Sequence, residues 1–272
     1  MPPAGDPPQF VILGCGYTGR RVAARLTARG LPILTTSRTA PFRLDTTDPV
    51  SVRELRNQIQ PGARVLYSIP PVSAATLSEA LTGRVAHVVY ISATGVYGRA
   101  LDVAEATSAA PTHAREQARL REEEILHAGH WSTLILRAAA IYGPGRGVHE
   151  SIRQGRHKLW GDGGNFISRI HVDDLAAIAE AALLSDVTGS YPVADEEPCT
   201  ALEMAAFCAP LVNMPVPAPS SELPPDDTRR ANRRVDGRAI RKLLGVELRY
   251  PSYRYGIPAS IAEELATAQP QS

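Results

Sequence analysis

The chain has 272 residues, 44% of them apolar and 21% charged, a size and composition that suit one or two folded domains. Lys plus Arg number 29 against 28 for Asp plus Glu, and this net charge of +1 argues against a general nucleic-acid binder or a polybasic membrane surface. Only Lys158 and Lys242 among those cations are lysines, so any chemistry that needs a lysine must use one of the two.

Residues 1–8 are proline-rich, lack the basic and apolar regions of a signal peptide, and read as a disordered lead-in. From residue 9 to about 136, apolar runs alternate with helix-like segments. Residues 10–13, Phe-Val-Ile-Leu, form a short continuous apolar run ending in glycines, as expected of a strand buried on both faces. A helix over 17–29 places Val22, Ala23 and Leu26 at helical spacing and stops at Gly30. A second strand covers 31–36. A helix over 48–59 has Asp48 as N-cap and Pro49 at its first position. Strands at 64–69, 87–92 and 133–136 follow, separated by helices at 73–82 and 112–128. Beyond Tyr142 the regularity fades. One helix is expected at 173–184, capped by Asp173 or Asp174, then a proline loop at 215–225 and two helices near 235–244 and 258–266. The alternation predicts an α/β fold with a doubly wound parallel sheet. Its dinucleotide-binding domain spans 9–145, and 146–272 is a mixed region with a small substrate cap and some segments returning to the first domain.

Gly14-Cys-Gly16-Tyr-Thr-Gly19 follows a strand and opens a helix, which is the context a dinucleotide-binding turn requires. The first glycine allows a tight turn, the second lets a pyrophosphate approach the backbone, and the third lets helix and strand pack closely. Tyr17 and Thr18 stand between them, where the helix aims its amides at phosphate. NAD enzymes usually carry an acid at the end of the second strand. Here Ser37, Arg38 and Thr39 stand there instead, and a guanidinium with hydroxyls beside it suits a 2′-phosphate. NADP is therefore the expected cofactor, with NAD as the alternative.

Five stretches in order resemble the extended short-chain dehydrogenase/reductases, the superfamily that includes the NAD-dependent epimerases and dehydratases. They are the glycine turn, Asp45-Thr-Thr-Asp48, Ile91-Ser-Ala-Thr-Gly-Val-Tyr-Gly98, Arg137-Ala-Ala-Ala-Ile-Tyr-Gly-Pro144 and Arg169-Ile-His-Val-Asp-Asp-Leu-Ala176. The resemblance implies a Rossmann-like cofactor domain with a small C-terminal cap and a small carbonyl or sugar-type substrate. It puts Asp45 on the adenine, Ile69 and Pro70 beside the adenosine ribose, and Ala140 and Ile141 near the nicotinamide. Ser92 and Thr94 flank Ala93, which holds the family's Ser/Thr position.

The family's chemistry uses a Tyr with a Lys four residues later. Residue 154 is Gln and residue 238 is Arg, so neither lysine has a tyrosine at that spacing. Aligning the acid that usually follows on the same helix with Glu123 puts Arg115 and Arg119 in the Tyr and Lys positions, and a one-residue slip to Glu124 puts Glu116 and Leu120 there, so neither register restores the pair. Arg119 could still reach the ribose, but a guanidinium is a poor proton donor. Tyr97, Tyr142, His113 and His171 remain as candidates for the acid, or as residues that only pack nearby, with Thr94 orienting the substrate. The expectation is an oxidoreductase or epimerase-like enzyme with a non-standard site. The alternative is an inactive NADP(H)-binding sensor.

Other signals are read plainly. Glu122, Glu123 and Glu124 suit a solvated helix face. The six arginines from Arg229 to Arg241 suit either an anionic substrate or a solvated helix. His171-Val-Asp-Asp174 lacks the geometry of a metal site, and no metal is expected. Cys15, Cys199 and Cys208 show no pairing pattern, which fits a reducing cytoplasm. No apolar run approaches the roughly 20 residues needed to span a bilayer.

Overall fold

Six short apolar strands form one parallel sheet in the computed structural model, which describes residues 7–37, 42–70, 74–222 and 231–268. They are β1 (Phe10–Leu13), β2 (Ile33–Thr36), β3 (Ala63–Tyr67), β4 (Val85–Ala93), β5 (Ser132–Ala138) and β6 (Gly189–Val193). Their spatial order is β6-β5-β4-β3-β1-β2. Side chains alternate across a strand, so each must be covered on both sides. Phe10 and Ile12 of β1 face one core with Val22 and Leu26 of α1 (Gly19–Ala28). Val11 and Leu13 face the other with Leu55 of α2 (Pro49–Gln58) and Leu77 of α3 (Ala74–Leu81). These side chains are fully buried or nearly so, and each stabilises the fold by about 1.5–3 kcal/mol relative to exposure.

Chain reversal at β1 positions the site. The β1–α1–β2 unit runs to one side and β2–α2–β3 crosses back, so Leu13 pairs with both Thr36 and Tyr67. The crevice left beyond the carboxyl end of such a strand is where open α/β sheets bind ligands. Asp48 caps α2 as expected, its carboxylate accepting from the Val50 amide at 2.9 Å.

The charged helix α4 (Ala114–His127) corrects one expectation. Glu122 and Glu123 are buried rather than solvated. Glu122 accepts from the Tyr67 hydroxyl at 2.6 Å and the Ala74 amide at 3.1 Å. Glu123 accepts from Arg137 Nη2 at 2.7 Å and from the Ser92 hydroxyl. Polar groups on β3, β4 and β5 draw this face of the helix inward, because buried donors require acceptors.

In the second half, α5 (Val148–Arg153), α6 (Val172–Leu183), α7 (Ala201–Leu211), α8 (Arg238–Leu244) and α9 (Tyr253–Ala268) follow. Helix α6 is capped by His171, whose Nδ1 accepts from the Asp173 amide at 3.2 Å. Asp174 does not cap it and instead accepts from the amides of Arg249 and Tyr250. Helices α6 and α8 cover the sheet. A separate apolar cluster joins Ile152 of α5, Met204 and Cys208 of α7, and Tyr253 and Ile257 of α9. Helix α9 starts five residues before the expected 258, and it takes Pro258 into its interior. Among the described residues, no helix is long and apolar enough to cross a membrane.

Candidate active site

The glycine turn begins where β1 ends. Gly14 has φ +89°, and a Cβ there would meet the Ser68 carbonyl oxygen at 2.8 Å. A Cβ on Gly19 would run into the Gly14 carbonyl. Packing of the chain itself accounts for both. Gly16 differs, since a Cβ there would meet no atom within 4 Å. The space over Gly16 is open at the amino end of α1, where amides lack intrahelical partners. A diphosphate fits that cradle.

Tyr17 and Thr18 tie the turn to its surroundings. The Tyr17 ring lies between the guanidiniums of Arg21 at 5.0 Å and Arg146 at 5.3 Å, and its hydroxyl donates to the Pro144 carbonyl at 3.1 Å. Burial pushes its phenol up to about 12 despite those two cations. Thr18 is buried at the head of α1 and makes no side-chain cap bond. Ser37 follows β2, while Arg38 lies outside the described residues. Asp45 is exposed, and its Oδ1 accepts from the Thr47 amide at 2.8 Å and hydroxyl at 2.7 Å. Those bonds hold its carboxyl below the usual range. Ile69 packs partly into the core beside Gly14, and Pro70 is exposed.

A cleft of about 520 Å³ lies past the ends of β4 and β5, between α4 and the segment 231–235. It brings together Thr94, Arg119 and Ala140 with His113, Arg115 and Glu116. Thr94 opens a single 3-10 turn, Thr94–Tyr97, that continues from β4. Arg119 donates from Nη1 to the Tyr90 hydroxyl at 3.1 Å. Glu116 Oε2 accepts from the Thr112 amide at 2.9 Å and the His113 amide at 3.4 Å, which closes the first turn of α4. Phe166, Ile167 and Leu101 supply apolar wall.

Other expected residues are elsewhere. Ser92 is buried and donates to Glu123, because β4 pleats its side chain away from the cleft. Tyr97 is 1% exposed under the Arg137 guanidinium, which lies 5.0 Å from its ring centre. Tyr142 is 2% exposed and stacks edge-on against His171, and its hydroxyl has no hydrogen-bond partner among the described residues. Burial raises both phenols. His171 is buried against Ser260, and burial lowers it to about 4. None of the four lines the cleft.

The arginine-rich stretch divides. Arg229 and Arg230 lie outside the described residues. Arg238 and Arg241 are ion-paired to Asp236 and Glu196 on the outside. Arg233 is buried at the cleft and donates to the carbonyls of Gly98 and Ala100. Sequence reasoning missed Arg99 as a cleft residue, because an arginine in a polar segment reads as solvated, while Arg115, aligned with the family's tyrosine, and Arg233, one of the six clustered arginines, both line the cleft. Among the described residues, no group of three or more His, Cys, Asp or Glu could hold a metal ion.

No family model matches the chain. A stretch of 101 residues, 35% of the chain, is 31% identical to the 3-diazoavenalumate denitrifying reductase of a Streptomyces species, and the match spans about a third of that protein's length (33%). Among solved structures, a functionally unknown conserved protein from Silicibacter pomeroyi is 30% identical, with a TM-score of 0.78 over 94% of this chain and 99% of that one. The UDP-glucose 4-epimerase of Thermus thermophilus, solved in complex with NAD, is 20% identical, with a TM-score of 0.79 over 96% of this chain and 100% of that one. The second likeness is one of fold.

Proposed function

From a chain that belongs to one family with the Silicibacter pomeroyi protein, and by its fold to the extended short-chain dehydrogenase/reductases, we propose an NADP(H)-dependent oxidoreductase acting on a small carbonyl compound. The observation that carries this reading is the open cradle over Gly16, with only the end of β3 between it and a cleft that holds a hydroxyl, an imidazole and cations. When bound, the dinucleotide supplies or accepts the hydride. The chain does the rest. Gly16 would leave the diphosphate its place at the amino end of α1, in a turn that Gly14 and Gly19 shape by close packing, and Ala140 would leave room for the nicotinamide. Thr94 orients the substrate oxygen by a hydrogen bond. Arg119, always charged, steadies negative charge developing there. His113 gives or takes the proton at that oxygen, replacing the family's tyrosine.

The test is direct binding of NADPH and NADH to the whole protein, followed by a panel of small aldehydes and ketones with absorbance at 340 nm as the readout. Tight binding and consumption of NADPH are expected. Gly16→Val should weaken NADPH binding by roughly 1–3 kcal/mol, about 5- to 150-fold, through overpacking against a rigid ligand. Its melting temperature should stay near that of the parent, since no chain atom lies in the way. Unchanged affinity in this variant would remove the cradle from the proposal.

The preference for NADP rests on Arg38 with Ser37 beside it. Arg38→Ala should weaken NADPH by about tenfold or more and leave NADH nearly unaffected, as expected for loss of a charge-assisted phosphate contact. Equal weakening of both would refute the assignment. A second reading, a dinucleotide-binding sensor without turnover, is favoured by the burial of both Tyr97 and Tyr142. Tight NADPH binding with no oxidation across the panel selects it.

A further inference from the structure

Most arginines with a carboxylate in reach use it. Arg21, Arg64, Arg137, Arg153, Arg241 and Arg254 each hold one within 3.0 Å. The cleft is different. Arg99 and Arg115 line it without an acidic partner among the described residues, and the hydrogen bond of Arg119 goes to the neutral Tyr90 hydroxyl. Arg233 adds a fourth cation, its guanidinium hydrogen-bonded to the backbone carbonyls of Gly98 and Ala100 with Glu116 as the nearby opposite charge. Glu116 is the one carboxylate among the lining residues, and it is engaged in closing the helix turn.

Arg99 and Arg115 are exposed, and two features weigh modestly against this arrangement in the empty protein. Arg115 sits in the first turn of α4, where the helix dipole disfavours a cation. Arg115 and Arg119 are four residues apart, so like charges are neighbours on one helix face. Glu116, the acid of the same first turn, offsets part of this, but it is one carboxylate against four guanidiniums. An anion entering the cleft would relieve both, in a chamber whose walls include Phe166, Ile167 and Leu101.

We infer that the substrate is a small organic anion with an apolar body, whose carboxylate or phosphate is held by Arg115 and Arg99 in the same chamber as its reacting carbonyl. The position of the carbonyl rests on the hydride-transfer reading above; the anion site rests on the cleft alone. Forked guanidiniums suit either oxoanion. The apolar wall favours compounds that carry hydrocarbon beside the charge over polyhydroxylated ones. Arg115 and Arg99 set specificity, and Arg119 faces the reacting oxygen.

Matched pairs test this in the NADPH-loaded protein. Benzoylformate is compared with its methyl ester, and dihydroxyacetone phosphate with dihydroxyacetone. Each pair is read both by kcat/KM and by the shift of the melting temperature on binding. The charged member of at least one pair should be preferred by about tenfold or more in kcat/KM and should raise the melting temperature more. Preference in the first pair identifies a carboxylate, and in the second a phosphate. Arg115→Gln and Arg99→Gln should reduce the ratio toward one. Arg115→Lys should retain part of it, and Arg238→Gln, a surface control paired to Asp236, should leave it intact. Equal handling of charged and neutral members, or a preference that survives Arg115→Gln and Arg99→Gln, overturns the inference. A selective melting shift without NADPH consumption leaves the anion site standing and defeats only the hydride reading.

Discussion

His113→Asn is expected to lower kcat for carbonyl reduction about 10²- to 10⁴-fold, the usual contribution of a positioned general acid. The reasoning is by chemistry within the cleft. Thr94, Thr112 and Ser168 offer only hydroxyls, and Arg115, Arg119 and Arg233 offer guanidiniums, which are poor proton donors. Glu116 is already accepting from two backbone amides. The imidazole is the remaining lining group built both to give and to take a proton. Asparagine is the informative replacement, because His113 occupies the N-cap of α4 and Asn is among the best residues there. Helix stability should hold or improve, and NADPH affinity should stay within about twofold, so a loss of rate cannot be assigned to unfolding. Stopped-flow oxidation of NADPH, with a thermal melt of the same sample, checks both. A kcat within about threefold of the parent would move the proton to another group.

Arg137→Met should cost about 3–5 kcal/mol of stability, the range for removing one partner of a buried ion pair. Arg137 and Glu123 side chains are 10% and 2% exposed, and the bonds between them include 2.7 Å from Nη2 and 3.1 Å from Nε. The substitution strands a carboxylate whose other oxygen receives the Ser92 hydroxyl. For a chain of this size each kcal/mol moves the melting temperature by about 2–4 °C, so a fall of roughly 6–20 °C is expected. Joining it with Glu123→Leu should recover most of the loss, since a buried pair replaced by apolar side chains is often neutral. A melt of the single and double variants decides. A drop of less than about 2 °C in the single variant would mean that water reaches the pair. The same network anchors the end of β4, which carries Thr94, so weakened activity should accompany the loss of stability.

Legibility in the sequence followed physical locality. Strands β1 to β5 and helices α1 to α4 were readable because apolar continuity, glycine stops and the Asp48-Pro49 cap are local signals. Strand β6 was not, since Gly189 and Pro192 weaken a strand pattern. The sheet accepts Pro192 because β6 is an edge strand. Helix α7 was overlooked although its signature was present, Thr200 and Glu203 forming a capping box before an apolar run. The glycine turn and the distinct part of its second glycine were legible in the motif's spacing, whereas what a Cβ would meet at each position is a tertiary fact. Burial of Glu122 and Glu123 was hidden for the same reason. Their partners come from β3, β4 and β5, and no spacing within α4 announces them.

The position of β6 bears on how the chain is made. Its residues, Gly189–Val193, pair with Leu134 to Ala138 and lie some fifty positions later in the chain. During synthesis the outer row of β5 amides and carbonyls therefore stands bare after the first five strands have left the ribosome. At about 5–20 residues per second that interval lasts on the order of 3–10 seconds. Leu134 and Leu136 lack their covering residues on α6 for much of it. An unpaired apolar edge is a template for another chain. Slow translation or truncation before residue 189 should thus be met as aggregation of nascent chains rather than as a stable half-protein.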